Sequence, residues 1–241
     1  MNNISSSFEY ILFDLDGTIS QSGPGITRCA QYALHKMGIE EPDLEKLEVF
    51  VGPPLNITFQ QQYGFDPERS VEAVRLFQER YEQIGVFENE IYPGVDDMLR
   101  SLQAAGKHLA IASSKPRHLI PIVLSKFGIE DYFEVIAAPG FEQELTNKMG
   151  SDNKQFMVRL ALEQLGIADP DPAALHARCA MVGDRFYDIE GALANGVTAI
   201  GVTYGYGTRE ELEQAGAEIL ADSAQELTRI LMDADANHIK D

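Results

Sequence analysis

The chain has 241 residues, 44% of them hydrophobic, and carries 38 acidic against 19 basic side chains for a formal charge of −19. That is enough apolar material for one large core or two small ones. A surface this acidic repels a nucleic acid backbone and an anionic membrane, which excludes polymer and bilayer binding and points to a small-molecule partner. The first predicted element is a buried strand over residues 8–14, an apolar run that ends in Asp-Leu-Asp-Gly-Thr. From there the pattern turns helical for about seventy residues. The predicted helices are 26–37, a short one capped by Asp43 and ending near Phe50, 55–63 and 66–83, the last with Val71, Val74, Leu76, Phe77 and Tyr81 as its apolar side. No strand signal interrupts them, so they read as a helical bundle.

After Pro93 strand and helix alternate. Helices are expected at 95–105, 117–127, 154–165, 188–195 and 209–215, with a final one after the Ser223/Glu226 capping pair. Strands are expected at 108–113, 133–138, 179–182 and 198–202, with an edge strand at 218–221. This alternation predicts an α/β fold, a Rossmann-like parallel sheet with helices on both faces. The isolated first strand should join that sheet. The organisation expected is an α/β core of residues 1–18 and 88–241 with a helical cap, 19–87, inserted after the first strand and lying over the carboxyl edge, where ligands bind in such sheets.

Asp14 and Asp16 stand two apart, which on a strand points both to one side. Paired carboxylates repel unless a cation or a shared proton relieves them, and oxygen-only donors suit Mg2+. The run Ile11 to Thr18 resembles the first signature of the haloacid dehalogenase superfamily. The resemblance implies Asp14 as the nucleophile that forms an aspartyl-phosphate and Asp16 as general acid and base. Three further stretches extend it. The strand ending in Ser113 and Ser114 matches the place of the phosphate-binding hydroxyl, Ser113 at the matching position. A cation must then offset the charge on phosphoryl group and Asp14. Lys148 and Lys154 compete for that role, neither followed by the proline common in the family. Lys154 is preferred because it opens the helix 154–165, whereas Lys148 reads as a solvated loop residue.

The stretch Met181 to Asp188 resembles the family's last motif. It offers Asp184 to a metal site with Asp14 and the backbone carbonyl of Asp16, and Asp188 either as a water-mediated ligand, as an orienter of Lys154, or as a helix cap. The insertion matches the family's helical first-type cap, and Gly52, Pro53 and Pro54 resemble the substrate loop of phosphoglycolate phosphatase-like members. The resemblance thus implies a Mg2+-dependent phosphomonoester hydrolase acting on a small phosphorylated metabolite, phosphoglycolate first. A 5′-nucleotidase-like phosphatase comes next, then a sugar-phosphate mutase. The non-enzyme alternative is a silent binding module. Cys29 and Cys179 suggest no disulfide framework. The N-terminus lacks a basic segment followed by an apolar one, and no run is long enough for a membrane span. A cytoplasmic monomer or weak dimer is expected.

Overall fold

The structure, a computed structural model, describes residues 8–140, 153–167 and 171–232. The first part of the chain forms β1 (Tyr10–Phe13), β2 (Ser20–Gln21), α1 (Gly23–Lys36), α2 (Leu55–Tyr63), α3 (Pro67–Tyr81) and β3 (Glu90–Ile91). The second part begins with α4 (Val95–Ala104), β4 (His108–Ala112), α5 (Ile120–Phe127), β5 (Val135–Ala137), α6 (Asn153–Gln164) and α7 (Pro172–Arg178). It ends with β6 (Cys179–Gly183), α8 (Phe186–Ala194), β7 (Thr198–Val202), α9 (Arg209–Ala215), β8 (Ile219–Ala221) and α10 (Ala224–Met232).

Six strands make one sheet in the order β5-β4-β1-β6-β7-β8, and every pair in it is parallel. Alternate residues along the central strands serve opposite layers. Ile11, Phe13, Leu109, Ile111, Ala180 and Val182 pack with α4, α5 and α10. Leu12, Ala110, Ala112 and Met181 pack with α6, α8 and α9. Burial on both faces explains why these strands read as unbroken apolar runs. The parallel sheet covered on both sides is the one that the alternation of elements predicts. The strand order reverses at β1, and in open sheets such a reversal opens a crevice at the carboxyl ends.

Helices α1, α2 and α3 lie between β2 and β3 in the chain, and their Ala33, Leu34, Phe59, Val74 and Phe77 belong to the same apolar cluster as Ile11, Phe13 and Ile111 of the sheet. The stripe Ser70, Ala73, Val74, Phe77, Tyr81 advances by three and four, so α3 buries it. Val71 lies off that stripe and is exposed, contrary to the sequence expectation.

Three further elements depart from that expectation. Ser20 and Gln21 pair antiparallel with Ile91 and Glu90, a ribbon that ties the two crossings between the helices and the sheet. Two-residue strands carry no period, so no pattern announces them. Helix α7 was not expected, although Asp171 and Pro172 open it as Asp66 and Pro67 open α3, each Asp accepting from a backbone N–H of the first turn. Helix α5 starts at Ile120 rather than Arg117, because a turn from Pro116 to Leu119 precedes it. Among the described residues no helix is long and apolar enough to cross a membrane. Cys29 and Cys179 are both buried.

Candidate active site

Parallel register brings three strand ends together. Phe13 stands opposite Ile111 on one side and Val182 on the other. The residues just beyond, Asp14, Ser113 and Asp184, therefore reach the same edge, and all three are buried. Asp14 Oδ1 lies 2.8 Å from Lys154 Nζ, and the same ammonium lies 2.8 Å from Asp188 Oδ1 and donates to the Ala112 carbonyl at 3.1 Å. Helix α6 places Lys154 in its first turn, pointed at this edge. Lys148 lies outside the described residues. Burial alone would lower the Lys154 ammonium, but Asp14 and Asp188 overrule it and hold it above the ordinary lysine range.

Asp184 is enclosed. Its Oδ1 accepts from Thr18 Oγ1 at 3.2 Å and its Oδ2 from the Tyr206 N–H at 2.9 Å. Gly17, at φ +88°, is the turn that makes room: a Cβ there would stand 2.1 Å from Asp184 Oδ2. Asp188 is the third residue of α8 rather than its N-cap. Its Oδ2 accepts from the Arg185 N–H at 3.1 Å while its other oxygen faces Lys154. Asp14, Asp184 and Asp188 offer carboxylate oxygens within 4.8 Å of one another. Burial, then Asp188 and Asp14, push the Asp184 carboxyl well above the usual range. Burial also raises Asp188, against the pull of Lys154.

Asp16 does not join that cluster. Its carboxylate is held by Lys115, whose Nζ donates to Oδ1 at 3.2 Å and to Oδ2 at 3.0 Å. The same ammonium reaches the Tyr81 hydroxyl of α3 at 2.5 Å. Burial pushes that hydroxyl up to about 12, so it stays neutral. Lys115 is itself buried. Sequence reasoning passed over it. The one signal was its place directly after two serines at a strand end, where a side chain has little choice but to enter the edge.

Ser113 Oγ accepts from the Lys115 N–H at 3.3 Å, and Ser113 and Ser114 both line a pocket between the sheet edge and the helices α1–α3. Asp14, Asp16 and Lys115 complete the sheet side of that pocket, and Gly52, Pro53 and Pro54 stand on the opposite side. Arg185 anchors this loop: its Nη1 donates to the Val51 carbonyl at 2.8 Å, and its Nε is fixed by Glu211 at 2.8 Å.

The sequence profile of the haloacid dehalogenase-like hydrolase family matches residues 11–202. A Pseudomonas aeruginosa protein named 5′-nucleotidase is 39% identical over 212 residues, 88% of this chain and 90% of that one. A Vibrio vulnificus phosphoglycolate phosphatase is 30% identical over 233 residues, 92% of this chain and 95% of that one. Among solved structures, a predicted phosphatase from Clostridium acetobutylicum superposes with a TM-score of 0.84 at 39% identity, covering 93% of this chain and 98% of that one.

Proposed function

Since the chain belongs to the haloacid dehalogenase-like hydrolase family, we propose that it is a Mg2+-dependent phosphomonoester hydrolase working through an aspartyl-phosphate on Asp14. The observation that carries this reading is the position of Asp14, a buried acidic group that lines the pocket together with Ser113 and lies 2.8 Å from the Lys154 ammonium. Asp14 attacks phosphorus, and the bond to the leaving oxygen breaks as Asp16 protonates that oxygen. A water then attacks the aspartyl-phosphate, gives its proton to Asp16, and frees phosphate and Asp14. Lys154, Ser113 and the N–H groups around it face the non-bridging oxygens and stabilise their charge. Asp188 holds Lys154 in place. The proline loop and α3 cover the reacting atoms from water.

Three buried carboxylates within reach of one another share a single ammonium, an excess of negative charge that fits a divalent cation with oxygen donors. Asp14, Asp184 and the Asp16 carbonyl would hold it. When bound, Mg2+ would offset charge on the carboxylates and on the phosphoryl group. Phosphate release from a panel of phosphoglycolate, nucleoside monophosphates, sugar phosphates, pyrophosphate and p-nitrophenyl phosphate, with Mg2+ and with EDTA, tests the reading. Release from several members that stops in EDTA is expected, and silence on all of them with Mg2+ present would refute it. A mutase has the same core, and conversion of one sugar phosphate to its isomer without phosphate release would identify it.

Metal removal has a second readout. A carboxyl raised in the fold, as Asp184 is, takes up a proton more readily folded than unfolded. The metal-free protein therefore gains stability as pH falls through that raised value, and loses it toward neutrality. Mg2+ replaces what the proton supplied. The Tm difference between Mg2+ and EDTA should be large at pH 7.5 and shrink toward pH 5. Equal differences at both would remove Asp184 from the metal site.

Lys115 orients Asp16, so its loss should depend on the leaving group. Lys115→Met should lower kcat/KM about 10- to 100-fold for alkyl phosphates, whose leaving oxygen needs the proton, and much less for p-nitrophenyl phosphate. A uniform loss across both would make Lys115 a merely structural residue.

A further inference from the structure

We infer that, within the phosphatase reading on which this rests, Arg185 is a positioning residue: it ties the loop 51–54 to the sheet edge, so that the leaving group of a bound ester is enclosed, and Glu211 holds Arg185 in place. Gly52, Pro53 and Pro54 line the pocket, and Arg185 does not. The loop is stiff by itself. The Val51 side chain is buried in the apolar cluster, the two prolines have fixed φ, and helix α2 begins at Leu55 directly after them. What remains to be set is its distance from Asp14 and Ser113. Lys115 sets that distance for α3, through Tyr81. For the loop the tie is Arg185, whose Nη1 donates to the Val51 carbonyl at 2.8 Å. Among the described residues it is the one hydrogen bond between the sheet side and residues 51–54.

The tie is built to be rigid. Arg185 has extended backbone, φ −124° and ψ 158°, at the residue before α8. Its Nε is 2.8 Å from Glu211 of α9, and the same Glu211 oxygen accepts from the Phe186 N–H at 3.0 Å. Nε and Nη1 lie in one plane, so two partners on two elements fix the direction of the guanidinium, which an ammonium could not match. The loop also rests on the stem: a Cβ on Gly52 would stand 3.3 Å from Arg185 Cγ. The side chain is separate from the catalytic bonds beside it. Asp188, which holds Lys154, takes the backbone N–H of Arg185 and nothing from its guanidinium. The phosphoryl group faces Asp14, Ser113 and Lys154 on the sheet edge, whereas the leaving group extends toward the loop. A loop free to swing must be ordered when an ester binds, and that cost falls on the ester and not on free phosphate.

The test is nitrophenol release from p-nitrophenyl phosphate with Mg2+, alone and inhibited by inorganic phosphate, in the unaltered chain, Arg185→Met, Glu211→Gln and the double variant, with melting followed beside it. Arg185→Met keeps the stem and the backbone N–H to Asp188 and drops both side-chain donors. Its kcat/KM should fall about tenfold, through KM, while the inhibition constant of phosphate stays within about twofold of the parent. Glu211→Gln keeps an acceptor for the Phe186 N–H and weakens the hold on Arg185, so KM should rise by less and in the same direction. The double variant should be no worse than Arg185→Met, because Glu211 acts through Arg185. Should Arg185→Met fail to fold, the ester and phosphate comparison in Glu211→Gln decides. A KM unchanged in the variants, or a KM and a phosphate constant that rise together, overturns the inference and leaves the phosphatase reading standing. No nitrophenol from the unaltered chain overturns both.

Discussion

Asp14→Asn should yield a folded protein whose kcat/KM for every phosphomonoester is lower on the order of 10⁶-fold, the cost of losing a covalent nucleophile. Asparagine keeps the shape of the side chain and removes its charge. The fold should not suffer, because Lys154 retains Asp188 at 2.8 Å and the Ala112 carbonyl at 3.1 Å. One of three crowded carboxylates is gone, so the repulsion that raises Asp184 eases. Metal-free melting should accordingly stay level or rise, while the stabilisation by Mg2+ shrinks. Phosphate release and melting with and without Mg2+ measure both halves. A variant within tenfold of the parent in turnover would end the assignment of Asp14 as nucleophile.

The sheet was legible because burial on both faces writes each strand as a short apolar run and each helix as a 3.6-residue stripe. The placement of Asp14, Ser113 and Asp184 followed from the same signal, since each closes such a run. The ribbon of β2 and β3 was not legible: its partners are some seventy residues apart and too short for a period. Asp16 illustrates the deeper limit. Its spacing from Asp14 suggested a shared site, yet its carboxylate turns to Lys115, 99 residues away, and through it to Tyr81 of α3. No local pattern encodes a contact that three separate elements make only after folding. The pocket is hidden for the same reason, because its lining draws on Ile26, Pro53, Gln78 and Ser113, which separate elements bring together only once the helices are set over the sheet edge.

Lys154→Met should be the more damaging change to stability. It removes the ammonium 2.8 Å from both Asp14 and Asp188 and leaves three buried carboxylates with no cation among them. Breaking a buried pair from one side costs about 3–5 kcal/mol, because the charge left behind is dry and unopposed. The rate should fall as well, by about 10²- to 10³-fold, for want of a donor to the phosphoryl oxygens. The stability loss should depend on pH in a defined direction. Without Lys154, burial and the Asp14 charge raise Asp188 against the Arg185 N–H alone, so the folded state binds protons more tightly than the unfolded one. Stability then grows as pH falls through the raised value, and the deficit against the parent is widest at pH 7.5 and narrows toward pH 5. Adding Asp188→Asn to the variant removes one of the stranded charges. It should recover much of the melting temperature and none of the rate, which separates the structural use of Lys154 from its chemical one. A metal-free Lys154→Met protein that melts with the parent at pH 7.5 would mean that its neighbours are not the charged cluster the geometry describes.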